Sequence, residues 1–92
     1  MIYIELTWDE RAAEHIARHD VEPEEVEEAI ERQQEARRSG DRLALIGQTD
    51  GGRYLTVFLE ELPDGTWYVI TARGSDDAER RRVARALKGK GG

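Results

Sequence analysis

At 92 residues the chain can build one modest hydrophobic core and not two, so a single domain over residues 1 to 88 is expected, with 89 to 92 as a flexible tail. Cysteine is absent, which excludes a disulfide framework and a thiolate metal site, and no apolar run approaches the roughly 20 residues of a membrane-spanning helix. The net charge of −6 argues against a generally phosphate-binding surface.

Charge distribution says more than its sum. Residues 1 to 36 carry an acidic excess that includes Glu22, Glu24, Glu25, Glu27, Glu28 and Glu31, whereas residues 75 to 92 carry Arg80, Arg81, Arg82, Arg85, Lys88 and Lys90. The acidic run reads as solvated helix faces that keep the chain soluble. Met1-Ile2-Tyr3-Ile4-Glu5 lacks the basic start and apolar block of a signal peptide, and together with the absent cysteine this makes a cytoplasmic location, without membrane, the expectation.

In chain order, Ile2 to Leu6 alternates as a first strand. Thr7-Trp8-Asp9-Glu10 has the form of a capping box, which predicts a helix over 8–19. Trp8, Ala12, His15, Ile16 and His19 share one stripe of that helix, so both histidines are expected to face inward. Pro23 suits a first helical position, with Glu24 and Glu25 in the first turn and Val21 stapling onto Val26. Val26, Ala29 and Ile30 form the buried edge of this second helix, and 37–41 is expected as a polar loop.

Sheet follows. Leu43-Ala44-Leu45-Ile46 is an apolar run suited to a mid-sheet strand, and Asp50-Gly51-Gly52 turns the chain into a strand from Tyr54 to Leu62. Pro63-Asp64-Gly65 marks a hairpin into the strand that ends Tyr68-Val69-Ile70-Thr71-Ala72-Arg73. With Leu62 and Thr66 flanking the turn, Leu55, Val57, Leu59, Val69 and Thr71 are predicted on one face, and Tyr54, Thr56, Phe58, Tyr68 and Ile70 on the other. A last helix capped by Ser75 or Asp76 runs to about Lys88 with a thin apolar stripe, chiefly Val83, Ala86 and Leu87.

The chemistry-bearing residues favour phosphoryl transfer. Metal-free RNA cleavage needs a base, an acid and cations around the phosphorane. His15, His19 and Glu79 can move protons, while Arg18, Arg42, Arg53, Arg73 and Arg82 supply charge. Arg73 is expected to reach water from its strand end and to contribute mainly binding charge. His15 and His19 are spaced to chelate a metal, but Ile16 stands where a metalloprotease needs glutamate, and no third ligand has a recognisable spacing. No metal and no cofactor are therefore expected, and a metal-binding module on these histidines is the weakest reading.

Trp8-Asp9-Glu10, Arg18-His19-Asp20-Val21, Glu24-Glu25-Val26, Arg42-Leu43-Ala44-Leu45-Ile46-Gly47, Gly52-Arg53-Tyr54-Leu55, Ile70-Thr71-Ala72-Arg73 and Ala78-Glu79-Arg80-Arg81-Arg82 follow one another in the order that resembles the BrnT toxins, RelE-like ribonucleases of toxin–antitoxin pairs. The resemblance covers nearly the whole chain. It implies an α+β, RelE-like β-α-α-β-β-β-α domain, with an antiparallel sheet backed by helices. It also implies metal-independent endoribonuclease activity on RNA, and neutralisation by a small DNA-binding antitoxin, usually of ribbon-helix-helix type.

Position by position, the resemblance implies catalytic roles for His19, Arg73, Glu79 and Arg82, and substrate contacts from Arg18, Arg42, Arg53, Arg80 and Tyr54. The chain departs from the pattern in three places. Ala12 or Ala13 stands where lysine is frequent, Asp20 replaces a glycine, and Val83 replaces a tyrosine. The alternative reading is a non-catalytic interaction domain of the same fold, whose arginines bind a carboxylate-rich partner.

Overall fold

The computed structural model describes residues 4–91, with side chains through Leu87; the expected strand start at Ile2 and the last tail residue, Gly92, lie outside the described residues. The elements run β1 (Leu6–Thr7), α1 (Glu10–Ala17), α2 (Pro23–Glu31), β2 (Gln33–Ser39), β3 (Arg42–Gln48), β4 (Tyr54–Glu61), β5 (Trp67–Gly74) and α3 (Asp77–Gly91). The strands form one sheet in the order β1-β5-β4-β3-β2. The α+β class with helices on the sheet is as expected. Two features add to it: a fifth strand, β2, and a parallel pairing of β1 with β5 that makes the sheet mixed. Among the described residues no helix is long and apolar enough to cross a membrane.

β2 occupies much of the stretch expected as a loop. Its sequence, Gln33-Gln34-Glu35-Ala36-Arg37-Arg38-Ser39, has no apolar alternation because it is the charged edge of the sheet, where only one flank pairs. Ala36 alone packs against the main core.

That core lies between one face of the sheet and α1 and α2. It joins Ala12 and Ile16 of α1, Val26, Ala29 and Ile30 of α2, and Leu43, Leu45, Leu55, Val57, Leu59, Trp67, Val69 and Ala72 of the strands. Pro23 begins α2 as expected, with Glu22 and Glu25 forming its capping box. At α1 the expected box is not made. Asp9 caps instead, its Oδ1 accepting from the Ala12 N–H at 2.7 Å, while the Thr7 hydroxyl pairs with that of Thr66 at 2.7 Å. The helix therefore starts later than expected.

α1 closes with the Asp20 N–H on the Ala17 carbonyl at 3.0 Å and the Val21 N–H on the Ile16 carbonyl at 3.1 Å, the bond pair of a Schellman cap. Asp20 takes its left-handed residue, with φ 62°. Aspartate tolerates that region better than most side chains.

The hairpin is flanked by Leu62 and Thr66 as expected, the Leu62 N–H donating to the Thr66 carbonyl at 2.8 Å. Three pairs further along, the register slips. Leu59 faces Val69, but Phe58 faces Thr71, leaving Ile70 as the extra residue of a β-bulge. Beyond it, Ala72 falls on the core face, and Thr71 moves to the reverse face, against the strict alternation. Arg73, paired with Thr56, moves with it.

α3 lies along β2 on that reverse face. Val83 is buried there, outside the main core, as is Ile46, whereas Leu87 remains 48% exposed. The thin stripe read from the sequence is what the helix has.

Gly47 marks a close approach of α2 to the sheet, since a Cβ placed on it would fall 1.7 Å from the backbone oxygen of Ala29. Backbone cannot move aside as a flexible side chain can. Gly47→Ala should destabilise the fold by about 3 kcal/mol or more in urea unfolding, at the upper end of overpacking costs; a near-neutral value would contradict this helix–sheet spacing.

Candidate functional site

The bulge and the last helix cap converge on one carboxylate. Asp76 and Glu79 exchange bonds at the start of α3, the Glu79 N–H reaching Asp76 Oδ1 at 2.8 Å and the Asp76 N–H reaching Glu79 Oε1 at 2.8 Å. This is a capping box with aspartate at the cap. Arg73 then grips the same carboxylate with both terminal nitrogens, Nη1 to Oε1 at 2.8 Å and Nη2 to Oε2 at 3.0 Å. Glu79 is only 6% exposed, while about a third of the Arg73 side chain, 35%, is open to solvent. The guanidinium also lies over the Phe58 ring, 5.5 Å from its centroid. Nearby the Thr56 and Ser75 hydroxyls pair at 2.8 Å.

The electrostatics follow. Burial pushes the Glu79 carboxyl upward, but the Arg73 fork, the Asp76 N–H and Thr56 outweigh it and hold the group below the usual carboxylate range. The same hydrogen bonding raises Arg73 against its own desolvation. At neutral pH the pair is fully ionised.

A second cluster stands beside it. Arg82 donates from Nε to Glu35 Oε1 at 3.1 Å, and Arg37 meets that oxygen through its own Nε at 3.1 Å. Glu35 escaped the sequence reading because it lies in β2, where the polar pattern predicted neither a strand nor an inward glutamate. Only its place two residues before a basic pair hinted at such a partner.

The other expected residues scatter. Arg53 bridges α1 to the sheet, donating to the carbonyls of Asp20 at 2.7 Å and His19 at 3.3 Å. Tyr54 accepts the Ser75 N–H at its carbonyl, 2.9 Å away, which ties this sheet end to the start of α3. Arg42 pairs with Glu60 at 3.0 Å, Arg80 with Asp77, and Arg18 lies exposed on α1 beside Arg11 and His15.

Both histidines are exposed, contrary to the inward stripe, because α1 buries only Ala12 and Ile16 and ends before His19. Their rings lie 6.0 Å apart. Among the described residues no group of three or more His, Asp or Glu side chains is placed to hold a metal ion. Thus Arg73 and Glu79 come together on the reverse face, Arg82 follows one turn later on α3 with Glu35 as its own partner, and the His19 backbone is tied to Arg53 just before β4.

No protein-family model matches the sequence, and no curated protein matches it either. Among solved structures, the fold matches the 1.1 Å crystal structure of the Brucella abortus ribonuclease toxin BrnT, with a TM-score of 0.61. Identity is 22%, and the match covers 82% of this chain and 100% of that one. The chain has the BrnT fold. At this identity the likeness places the sheet and helices, and the side-chain clusters above are properties of this chain. Val83, read in the sequence as a departure from the toxin pattern, is a buried packing residue of this chain.

The bidentate grip corrects the expectation that Arg73 is a free, stability-neutral charge. Arg73→Ala strands a buried carboxylate and should cost about 2 to 4 kcal/mol in chemical denaturation, whereas an exposed strand-end arginine would cost less than about 1. Glu79→Gln should cost about 1 to 3 kcal/mol at pH 7. Because the folded-state carboxyl titrates below its unfolded value, the Glu79 contribution is complete above about pH 4.3 and fades as pH falls through the lowered value. Unfolding from pH 7 to pH 2.5 should show the wild-type advantage over Glu79→Gln shrinking in that window; a constant gap would remove the charge from the account.

Proposed function

We propose that the chain is the toxin of a toxin–antitoxin pair, an endoribonuclease that cleaves RNA by metal-independent phosphoryl transfer. The observation that carries this reading is Arg73, a planar cation anchored at a bulged strand end by a buried glutamate and still open to solvent on the reverse face. The shared fold with a protein described as a ribonuclease toxin supports it.

In this reading the RNA 2′-oxygen attacks phosphorus and the P–O5′ bond breaks. The 2′-hydroxyl gives up a proton, and the departing 5′-oxygen receives one. A 2′,3′-cyclic phosphate and a free 5′-hydroxyl result. Arg73 and Arg82 stabilise the charge that builds on the phosphorane, each pre-positioned by its own carboxylate, Glu79 and Glu35. His19 transfers protons, with its backbone held to the sheet end by Arg53. Arg18, Arg42, Arg53, Arg80 and Tyr54 contribute to holding the strand. A small DNA-binding antitoxin, of ribbon-helix-helix type, would neutralise the protein by covering these arginines in the cytoplasm.

The pairing itself favours one further reading. Arg73 and Arg82 already hold carboxylate partners, as they would in a non-catalytic domain built to dock an acidic protein. Cleavage assays separate the two.

Arg73→Lys keeps the charge and loses the fork, so RNA cleavage should fall about 100- to 1,000-fold, the loss typical of one preorganised donor. The wild-type rate should be unchanged by a strong chelator. Undetectable cleavage by wild type on structured and unstructured RNA, with partner affinity still dependent on Arg73, would establish the docking domain instead. Arg82→Gln should likewise lower cleavage, with growth arrest on expression as an independent readout.

A further inference from the structure

Beside the Arg73–Glu79 clamp the reverse face of the sheet sinks into a groove of about 240 Å³. Ala44, Phe58 and Ile70, all half-buried, line it together with Arg37, Ser39 and Arg42. Register explains the grouping. Glu35, Ile46, Thr56 and Arg73 form one row across β2 to β5, and Arg37, Ala44, Phe58 and Thr71 form the next. α3 meets the first row through Arg82 and Glu79, and among the described residues none of α3 lines the groove. The bulge supplies the apolar lining, since Ile70 is the extra residue beside the Phe58–Thr71 pair.

We propose that this groove holds one unpaired base of single-stranded RNA, stacked on Phe58, with the flanking phosphates against Arg73 on one side and Arg37 and Arg42 on the other. The proposal rests on the ribonuclease reading and names its base-binding subsite. Three observations carry it. Phe58 is shared: its ring sits under the Arg73 guanidinium at 5.5 Å and also lines the groove, so a base stacked on it brings its backbone to the clamp.

The walls are cationic. The side chains of Arg37 and Arg42 are 65% and 61% exposed, and each meets a carboxylate through Nε. On a chain of net charge −6, this places attraction for an anion where the apolar floor is.

The floor is also short. Leu43 and Leu59 also border it, but their side chains belong to the main core on the other face, which leaves Ala44, Phe58 and Ile70; that suits one flat ring, whereas a docked strand or helix needs a run of anchoring pockets. Stacking on an aromatic ring within a cationic groove is how single strands are held with little sequence preference, and Ser39 adds a hydroxyl to the wall.

The test compares binding of the intact chain to a labelled single-stranded RNA and to the same RNA made abasic. Wild type should bind the intact strand about 5- to 100-fold more tightly, the range of one aromatic–base stack. Phe58→Leu keeps an apolar floor and removes the ring; Ala44→Met fills the groove and leaves the ring in place. Each variant, once its melting curve confirms folding, should bring intact RNA down to the abasic level, and either one alone suffices if the other does not fold.

Equal wild-type affinity for intact and abasic RNA overturns the proposal, as do folded variants that still discriminate between them. Cleavage without base discrimination would leave the ribonuclease reading standing and remove the subsite. Base discrimination without cleavage would keep the subsite and remove the nuclease. An acidic peptide that binds the wild-type groove while RNA does not would assign the groove to a protein partner and overturn the proposal.

Discussion

The bidentate contact between Arg73 and Glu79 depends on the β-bulge at Ile70, and the reverse face of the molecule depends on both. Under strict alternation Arg73 would share the face of Val69, in the core beneath α1 and α2, where a guanidinium would have to be desolvated among apolar side chains. The extra residue turns Thr71 and Arg73 outward. α3 meets the displaced arginine with a glutamate that already caps its own first turn. One carboxylate thus ends a strand, starts a helix and orients a cation.

The same economy recurs in the charge pattern. Glu35 serves Arg37 and Arg82 together, so two carboxylates on the reverse face hold three guanidinium groups without neutralising all of them. An anion approaching this face finds cations that are already oriented and have little rotamer freedom left to lose. It must also compete with the resident carboxylates, which tempers affinity. The glutamates of α2 lie along the opposite layer, where they act on solubility and long-range repulsion more than on the site.

The turn after α1 shows how a distant segment is made part of the same end of the sheet. Asp20 takes a left-handed conformation, which exposes carbonyls that the helix cannot satisfy. Arg53 bonds those of His19 and Asp20, and lies close to Gly74 at the end of β5. An arginine that reads as a substrate contact in the sequence therefore also carries a mechanical load, and loosening it would move the His19 turn relative to Arg73.

Much of this was legible in the residues themselves. Pro23 with two following glutamates, the Val26-Ala29-Ile30 edge, the Leu43–Ile46 run and the Pro63-Asp64-Gly65 turn are local signals whose meaning does not depend on the rest of the chain, and each lies where it was expected. The positions of Arg73, Glu79 and Arg82 at a strand end and helix start were equally local. What only the tertiary structure decided was pairing and side. β2 is a strand because β3 offers it a flank, although its own pattern is polar; His15 is exposed because α1 buries only Ala12 and Ile16, and His19 because α1 ends before it at the Asp20 turn. A bulge shifts every later side chain to the other face through hydrogen bonds to a neighbouring strand, and no alternation within β5 records it. Which carboxylate each arginine holds was decided in the same way, by contacts between residues far apart in the chain.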